Sequence, residues 1–473
     1  MKDEKNQVTA TTTEEQNVAE NTAQKAPAKK NARFMSSKES RQIAKDNMKK
    51  IKYFEAMKKR KNVPESEYRS EMKDPNNVVE FEDLKTYFFT DAGTVKAVDG
   101  VTFNIPHGSI VGVVGESGCG KSVTSMSLMR LVQGPTGQIV SGAIRFKGTD
   151  YKKDANGNKV PVYVEEVDAN GNKVVDEKGD VVYAKDANGK PLQAKNEWGV
   201  PLFEKCEYVY DIAKMPMIEM NRIRGSQIAM IFQEPMTSLN PVFTIGQQLD
   251  EVTMLHIEGS SKEYAKKRSI EMLELVGIAM PESVYERYPH ELSGGMRQRV
   301  MIAMALICDP ELIIADEPTT ALDVTIQAQI LDLLRDVKKK MNGSIMLITH
   351  DLGVIAEMAD IVVVMYAGRI IEMGTAKEIY ETPCHPYTIG LQKSKPAVNK
   401  KVDRLYSIPG QVPNPISMPN FCYFKERCNK CINKCNGEYP GLMKVSPTHS
   451  VSCYLYEEMA QKFAKESKGE NNG

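Results

Sequence analysis

Residues 111–122 read VGVVGESGCGKS, and this stretch decides the fold class of the chain. An apolar strand runs into a glycine-rich loop of the form GxxxxGK[ST], and a helical pattern, VTSMSLMRLV, follows directly. Glycines at this spacing let backbone N–H groups face inward at a helix N-terminus, where the helix dipole also favours an anion. The stretch therefore predicts a phosphate-binding loop in an α/β nucleotide-binding fold.

The side chains of this loop have separate expected roles. Lys121 is predicted to reach the β- and γ-phosphates, and the Ser122 hydroxyl suits Mg²⁺, which prefers oxygen ligands. Cys119 lies among loop N–H groups and beside Lys121, so we expect a lowered thiol pKa and sensitivity to alkylation. The full set of predicted nucleotide-binding positions in the loop is Gly115, Ser117, Gly118, Cys119, Gly120, Lys121, Ser122 and Val123.

Further candidate positions for chemistry lie at strand ends. The apolar run at 312–315 delivers Asp316, expected in the magnesium shell, and Glu317, expected to accept a proton from the attacking water or to orient it. His350 follows the strand SIMLIT, where it is placed to hydrogen-bond the γ-phosphate, although a histidine in that position is more often structural. Phe88, with Tyr87 as second choice, is placed to stack on a base; simple burial in the core is the alternative.

A second glycine-containing helix start lies at 292–296, LSGGM. One nucleotide needs only one such anion-binding helix terminus, so the second is expected to close on ATP held by a partner protein. An ordinary helix cap is the alternative interpretation of the same residues.

Composition narrows the class of protein. Lysine plus arginine equals aspartate plus glutamate at 62 each, so net charge indicates neither nucleic acid nor an acidic surface as partner. No apolar run approaches the roughly 18 residues that cross a bilayer, and the N-terminus lacks a hydrophobic signal-like segment, so we expect a cytosolic chain. Strands alternating with helices predict a mostly parallel sheet with its ligand at the carboxyl ends of the strands.

The motifs GESGCGKS, Gln233, LSGGM, LIIADEP, ALD and His350 occur in this order, and together they resemble the ATPase subunit of an ATP-binding cassette (ABC) transporter. The resemblance covers residues 78–380. It implies a P-loop NTPase of ABC type, with an antiparallel β subdomain and a helical subdomain, that binds ATP and Mg²⁺. Hydrolysis of MgATP between two subunits is the implied activity.

The same resemblance assigns residues outside the phosphate loop. Ser293, Gly294 and Gly295 are implied to serve the nucleotide of the partner, and Asp323 to lie at the dimer interface. Gln233 is implied to sense the magnesium ion, to take part in catalysis and to face the membrane subunits.

Further segments, IFQEPMTSLNP, PCHPYTIGLQKSKP and LYSIPGQVPNP, resemble the D-type ATPase of oligopeptide and dipeptide permeases. This implies a sibling F-type ATPase, two membrane-spanning permease subunits and an extracellular peptide-binding protein as partners, and a place on the cytoplasmic face of the cell membrane. No nucleic acid is expected. Import of nickel or another small solute stays open, as does an ABC-type ATPase that acts on nucleic acid or ribosomes.

Three segments lie outside the core of this pattern. Residues 1–77 are expected to form a disordered, basic N-terminal extension; helix-spaced apolar residues within 36–61 indicate either a solvated, partly helical segment or a basic helix on an anionic membrane. Residues 149–208 contain DANGNKV twice and DANGK once, which predicts an inserted run of small β-hairpins rather than calcium loops. Residues 381–473 form the third segment, a C-terminal region rich in cysteine.

That C-terminal region contains the candidate metal site. Four of its cysteines resemble the pattern that implies a [4Fe–4S] cluster in peptide permease ATPases: Cys422, Cys428, Cys435 and Cys453. Four thiolates also suit a closed tetrahedral Zn²⁺ site, and free thiols are a third possibility. Cys431 is an additional cysteine, which leaves the identity of one ligand open.

Overall fold

The computed structural model describes residues 36–168, 172–176, 181–186, 189–196, 199–234, 238–320, 323–341, 343–394, 406–416 and 418–469. The expectation for residues 1–35 lies outside the described residues. Within them no helix is both long and apolar enough to cross a bilayer. The strands, in chain order, are β1 (Asn77–Thr90), β2 (Gly93–Pro106), β3 (Ile110–Val114), β4 (Gly137–Tyr151), β5 (Lys205–Asp211), β6 (Ile228–Ile231), β7 (Leu312–Asp316), β8 (Ser344–Thr349), β9 (Ile361–Tyr366), β10 (Arg369–Thr375), β11 (Met443–Lys444) and β12 (Ser450–Val451).

The helices of the described residues fall into four groups along the chain. Two precede the first sheet, one follows the glycine-rich loop, five lie between β5 and β7, and the rest alternate with or follow the later strands. They are α1 (Ser37–Lys58), α2 (Glu65–Tyr68), α3 (Lys121–Leu128), α4 (Met217–Ile223), α5 (Ile245–His256), α6 (Lys262–Leu275), α7 (Pro281–Tyr285), α8 (Gly294–Leu306), α9 (Val324–Met341), α10 (Leu352–Met358), α11 (Ala376–Glu381), α12 (Pro386–Lys393) and α13 (Glu457–Gly469).

The strands form two sheets. The first is antiparallel, in the order β2-β1-β4-β5, and the second has the order β11-β12-β10-β9-β3-β8-β7-β6. In the second sheet β9, β3, β8, β7 and β6 are mutually parallel, which confirms the predicted sheet. Because parallel strands end at the same edge, the loops after β3, β7 and β8 meet there. The C-terminal region extends one edge of this sheet: β12 pairs with β10, and β11 pairs with β12.

Apolar side chains on both faces of the parallel sheet explain why it is buried. One face packs on the antiparallel sheet through residues such as Val111, Val113 and Ile314. The other face packs on α8, α9 and α10 through residues such as Ile313 and Leu347. Strands buried on both faces are continuously apolar, as the run LIIA before Asp316 is.

From residue 36 onward the N-terminal segment contains the expected helical stretch, but this helix packs on the sheet instead of being free in solvent. Residues Ser37–Lys58 form α1, capped by reciprocal hydrogen bonds between Ser36 and Glu39. Asn47 is buried and donates to the Thr90 carbonyl of β1 at 2.8 Å, and Phe54 stacks on Phe89 with ring centroids 6.2 Å apart. Part of the apolar stripe of this helix, including Phe54, therefore packs on the antiparallel sheet of its own chain, whereas Met48 and Met57 are exposed.

The inserted segment lies between β4 and β5, whose ladder ends at the pair Tyr151 and Lys205. Its described parts contain successive antiparallel bridges, as the hairpin prediction expects. In the first DANG turn the Asp154 carboxylate accepts backbone N–H groups from Asn156 at 2.9 Å and Asn158 at 2.8 Å. The aspartate of this repeat thus closes its own turn, which is the ordinary role of aspartate in such sequences.

Candidate functional site

The glycine-rich loop joins β3 to α3, so the predicted strand, loop and helix are confirmed. Gly115, Gly118 and Gly120 have φ of +154°, +78° and +105°. A side chain at Gly120 would meet the Ala97 carbonyl oxygen at 2.4 Å, and one at Gly115 would meet the Met365 oxygen at 2.3 Å. Only glycine satisfies both the conformation and the close approach of backbone at these two positions.

Two predicted magnesium ligands lie together at the start of α3. The Ser122 hydroxyl donates to Asp316 Oδ1 at 3.1 Å. Burial raises the pKa of Asp316, and the neighbouring Glu317 adds to the rise, while Ser122 and Lys121 oppose it. A bound divalent cation would reverse this balance, because it stabilises the ionised carboxylate. The pair therefore supplies a hydroxyl and a carboxylate oxygen in one place, which suits Mg²⁺.

Lys121 is also buried. Its Nζ donates to the Gly115 carbonyl at 2.8 Å and to the Glu116 carbonyl at 3.3 Å. The ammonium group thus lies against the inner backbone of the loop, where a phosphate group would be surrounded by N–H donors.

Glu317 is the centre of the catalytic candidates. Its Oε2 accepts from Gln233 Nε2 at 3.1 Å and from the Thr320 hydroxyl at 2.9 Å, and lies 3.5 Å from His350 Nδ1. Its backbone has φ of +48°, which is strained for a residue with a side chain. The sequence motifs did not indicate Thr320; its position three residues after Glu317 in a turn is the only local signal.

The Cys119 prediction is wrong in its direction. The side chain is 1% exposed, and burial raises the pKa of the thiol. The positive charge of Lys121 and the loop N–H groups act in the expected direction but are outweighed. A buried thiol held mostly in its neutral form is a poor target for alkylating reagents.

The second glycine motif lies at the start of α8. Ser293 caps this helix by accepting from the Met296 N–H at 3.3 Å, and both Ser293 and Gly294 are exposed. A Cβ on Gly295 would contact Ile326 of α9 at 3.3 Å. Asp323, also exposed, caps α9 through the Ile326 N–H at 3.0 Å. Helix capping therefore explains Ser293 and Asp323 locally, and the N-terminus of α8 is exposed.

The two aromatic candidates of β1 have different surroundings. The Tyr87 hydroxyl donates to Asp99 Oδ1 at 2.5 Å, which ties this ring to the interior. Phe88 is half-buried, pairs across the ladder with Val95, and has its ring beside Gly137 of β4. Stacking of Phe88 on a base stays a prediction.

The four cysteines of the C-terminal pattern converge. Cys435 and Cys453 are buried, and the Cys422 N–H donates to the Cys435 carbonyl at 3.3 Å. Burial, and then the neighbouring Cys435, Cys453 and Cys428, raise the pKa of the Cys422 thiol to about 12. Four neighbouring thiols can hold a metal group, which deprotonates its ligands on binding. Cys431 is exposed and contacts Cys435, so it remains a possible ligand by position.

The four sulfurs are not gathered tightly around one point in this structure. In the described residues no three of them lie within 4.8 Å of one another, since only Glu372, Cys384 and His449 meet that limit. A zinc ion with Zn–S bonds of about 2.3 Å needs sulfurs about 3.8 Å apart. Zinc and an iron–sulfur cluster both stay predictions for these cysteines.

The Glu372, Cys384 and His449 group is a buried ion pair. The Glu372 carboxylate accepts the backbone N–H groups of Cys384 at 2.6 Å and His385 at 2.9 Å, and contacts His449 Nε2 at 2.8 Å. Burial disfavours a charged His449, but contacts with Cys384 and Glu372 outweigh it and raise the pKa of His449 to about 10. With its charges paired and its oxygens hydrogen-bonded, the group joins β10 to the C-terminal region.

A parallel sheet with a glycine-rich loop at its edge, the adjacent Ser122 and Asp316 pair, and a carboxylate in contact with Gln233 and His350 is the arrangement of an ATPase of the ABC class. The family model "ABC transporter" matches residues 98–320, and "Oligopeptide/dipeptide transporter, C-terminal region" matches residues 371–435. The chain belongs to the oligopeptide and dipeptide transport ATP-binding proteins of the ABC family.

Individual relatives cover most of the chain. The oligopeptide transport ATP-binding protein AppD of Bacillus subtilis is 43% identical over 81% of this chain and 98% of its own length. The dipeptide transport ATP-binding protein DppD of the same organism is 41% identical over 81% of this chain and 96% of its own length. Among solved structures, the ATP-binding cassette MJ0796, a dimer bound to ADP and Pi, is 21% identical, with a TM-score of 0.45 over 63% of this chain and 98% of that one.

Proposed function

We propose that this chain is the ATP-hydrolysing subunit of an importer that takes up oligopeptides or dipeptides through membrane-spanning partner subunits. The observation that carries the proposal is the convergence of Gln233, Thr320 and His350 on Glu317, next to the Ser122 and Asp316 pair. Phosphoryl transfer depends on positioning and on charge stabilisation, and this arrangement offers both. Several relatives are named as peptide transport proteins, which supports the substrate class.

In this proposal Glu317 orients the attacking water and accepts its proton, while His350 contacts the γ-phosphate. Ser122, Asp316 and Gln233 hold the magnesium ion, directly or through water. The loop N–H groups and Lys121 bind the phosphates, and Phe88 stacks on the base. Each role is testable by a single substitution.

The partner assignments follow from surfaces that the chain leaves exposed. Ser293 and Gly294 present a helix N-terminus, which attracts a phosphate on another subunit. We assign Asp323 to the same interface, because it is exposed at the start of the α9 helix that packs beside Gly295. The second ATPase is then a sibling F-type subunit, and the assembly includes two permease subunits and an extracellular peptide-binding protein.

We further propose a [4Fe–4S] cluster on Cys422, Cys428, Cys435 and Cys453, because these four thiols are neighbours and four thiolates are the usual ligands of such a cluster. When bound, such a cluster supplies a rigid fourfold cross-link in the C-terminal region. Its role here is structural.

Affinity purification from detergent-solubilised native membranes, followed by mass spectrometry, tests the assignment. We expect two multispanning proteins, a second cassette ATPase and a peptide-binding protein in stoichiometric amounts, on the cytoplasmic face of the cell membrane. Ribosomal proteins or nucleic acid as the main partners would contradict transport. A binding protein that carries nickel or another small solute would contradict peptide as the substrate.

A further inference from the structure

The C-terminal region reaches back to the phosphate loop through one ion pair. Arg427 donates to Glu116 Oε2 from Nη1 at 2.7 Å and to Oε1 from Nη2 at 3.0 Å. Glu116 is the second residue of the GESGCGKS loop, and Arg427 directly precedes Cys428. Two parallel N–H···O bonds fix the relative orientation of both groups, which a single contact cannot do.

Arg427 has little freedom to move away from this position. Its side chain is 6% exposed, and its Nε donates to the Pro409 carbonyl at 3.0 Å. An arginine guanidinium keeps its positive charge in proteins, so this buried side chain needs a negative partner. Among the described residues Glu116 is the carboxylate that neutralises it. A buried charge of this kind is costly without its partner, so the pair holds both segments together.

A second contact holds the same loop residue from its backbone. The Glu116 N–H donates to the Tyr387 hydroxyl of α12 at 2.8 Å. Tyr387 is fully buried and packs against Tyr366 and Phe424, with ring centroids 4.8 Å and 5.5 Å away. Phe424 lies three residues before Arg427, so the ring and the ion pair come from one turn of the C-terminal region.

That turn is bounded by two of the proposed cluster ligands. The Lys425 N–H donates to the Cys422 carbonyl at 3.1 Å, the Arg427 N–H to the Phe424 carbonyl at 3.0 Å, and the Cys428 N–H to the Lys425 carbonyl at 3.3 Å. Fixing the sulfurs of Cys422 and Cys428 therefore fixes the backbone that presents Arg427. The cysteine site and the phosphate loop are joined by a continuous path of hydrogen bonds.

We propose that Arg427 is a positioning residue of the phosphate loop, and that occupancy of the cysteine site sets ATP affinity through it. The second part rests on the metal group proposed above, whereas the first does not. Arg427 does not touch the phosphates; it holds Glu116 and thereby the curve of backbone whose N–H groups bind them. ATP binds most tightly when the backbone of the turn from Cys422 to Cys428 is fixed in the conformation that presents Arg427.

The test compares ATP affinity in full-length variants by equilibrium titration. We expect R427A to weaken ATP binding at least roughly ten-fold, because it leaves Glu116 unpaired and frees the loop. R427K keeps the charge but loses the fork, so it should restore only part of the affinity. E116Q breaks the same ion pair without touching the cysteine turn. The double variant, R427A with E116Q, should bind ATP no more weakly than the weaker-binding of the two single variants.

The matched control is K425A, two residues away in the same turn, where Lys425 contacts Phe421 and Asn436 instead. It should keep the original affinity. Because a positioning role acts on binding, the KM for ATP should rise more than kcat falls in R427K. Unchanged affinity in both R427K and E116Q, or fully additive losses in the double variant, would overturn the assignment of Arg427.

The link to the cysteine site has its own readout. Removing bound metal with a chelator, then exchanging the chelator for fresh Mg²⁺, should weaken ATP binding in the unchanged chain and have no further effect in R427A. Equal ATP affinity of metal-loaded and metal-free chains with Arg427 intact would overturn that link. Iron and sulfide analysis of the same samples decides the cluster separately, so its failure would be distinguishable from failure of the Arg427 proposal.

Discussion

Gln233 and Glu317 are 84 positions apart in the chain, yet Gln233 Nε2 lies 3.1 Å from Glu317 Oε2. The contact joins the loop after β6 to the end of β7, neighbouring strands of the parallel sheet. It brings a residue that is implied to face membrane partners into direct contact with the candidate base. A movement of the Gln233 loop would therefore directly change the hydrogen bond to Glu317.

The substitution E317Q removes the proposed base but keeps the size of the side chain. We expect ATP hydrolysis to fall by at least roughly 100-fold while ATP stays bound, since general-base catalysis of this kind contributes that much. Steady-state phosphate release and retention of labelled ATP measure the two effects. E311Q, at the opposite end of β7, is the control. Normal turnover in E317Q would remove Glu317 from the catalytic role.

Asp316 and Ser122 should act through magnesium. We expect D316N to lower magnesium-dependent turnover by roughly 100-fold, because a metal that polarises the phosphoryl oxygens supplies several kcal/mol. ATP binding measured without magnesium should change little in this variant. An equal loss of ATP binding with and without magnesium would assign Asp316 to loop structure rather than to the metal.

These residues were predictable because each follows a short local motif, and the sheet topology brings the strand ends together. The Arg427 and Glu116 pair spans 311 positions and belongs to no motif, so no pattern in one sequence indicates it. Docking of α1 on β1 was missed for a related reason. Its apolar stripe is thin, and the buried contact uses Asn47, a polar residue that bonds a strand-end carbonyl.

His449 predicts a pH-dependent contribution to stability. Its pKa is raised to about 10 in the folded chain, so its stabilising effect is complete below about pH 6.5 and is lost as the pH rises through 10. H449Q should lower the free energy of unfolding most at pH 6.5, on the order of 3 kcal/mol, and much less near pH 10.

Thermal unfolding of H449Q and of the unchanged chain across this pH range measures the difference. H107Q is a suitable control, because His107 is exposed. A constant difference between H449Q and the unchanged chain from pH 6.5 to 10 would show that the ion pair with Glu372 does not titrate as described.

Substitutions of different cysteines should have different effects on the iron content of the chain. We expect C435S to lose most bound iron and its visible absorbance, because Cys435 is buried among the other three ligands. C431S, at an exposed position, should retain both. Loss of iron in C431S with retention in C435S would exchange the two ligand assignments. Zinc in place of iron in the anaerobically purified chain would contradict the cluster itself.

The inserted segment should be dispensable for ATP binding. The Lys152 N–H donates to the Glu204 carbonyl at 2.9 Å, so an Asn-Gly turn can replace residues 153–203 and close the β4 and β5 hairpin. We expect unchanged ATP affinity and a change in unfolding temperature of at most about 2–4 °C. A large loss of ATP affinity would show that this segment supports the site; a loss of complex yield alone would assign it to partner binding.

ATP-dependent uptake of a labelled peptide into proteoliposomes tests the central claim most directly. The vesicle membrane would contain the purified complex. The peptide-binding protein and the labelled peptide would be outside, and MgATP would be inside, on the side of this chain. We predict peptide accumulation that depends on ATP and is abolished in the complex carrying E317Q, while that complex still binds ATP. Peptide uptake that persists with E317Q, or ATP hydrolysis that no peptide stimulates, would contradict the account.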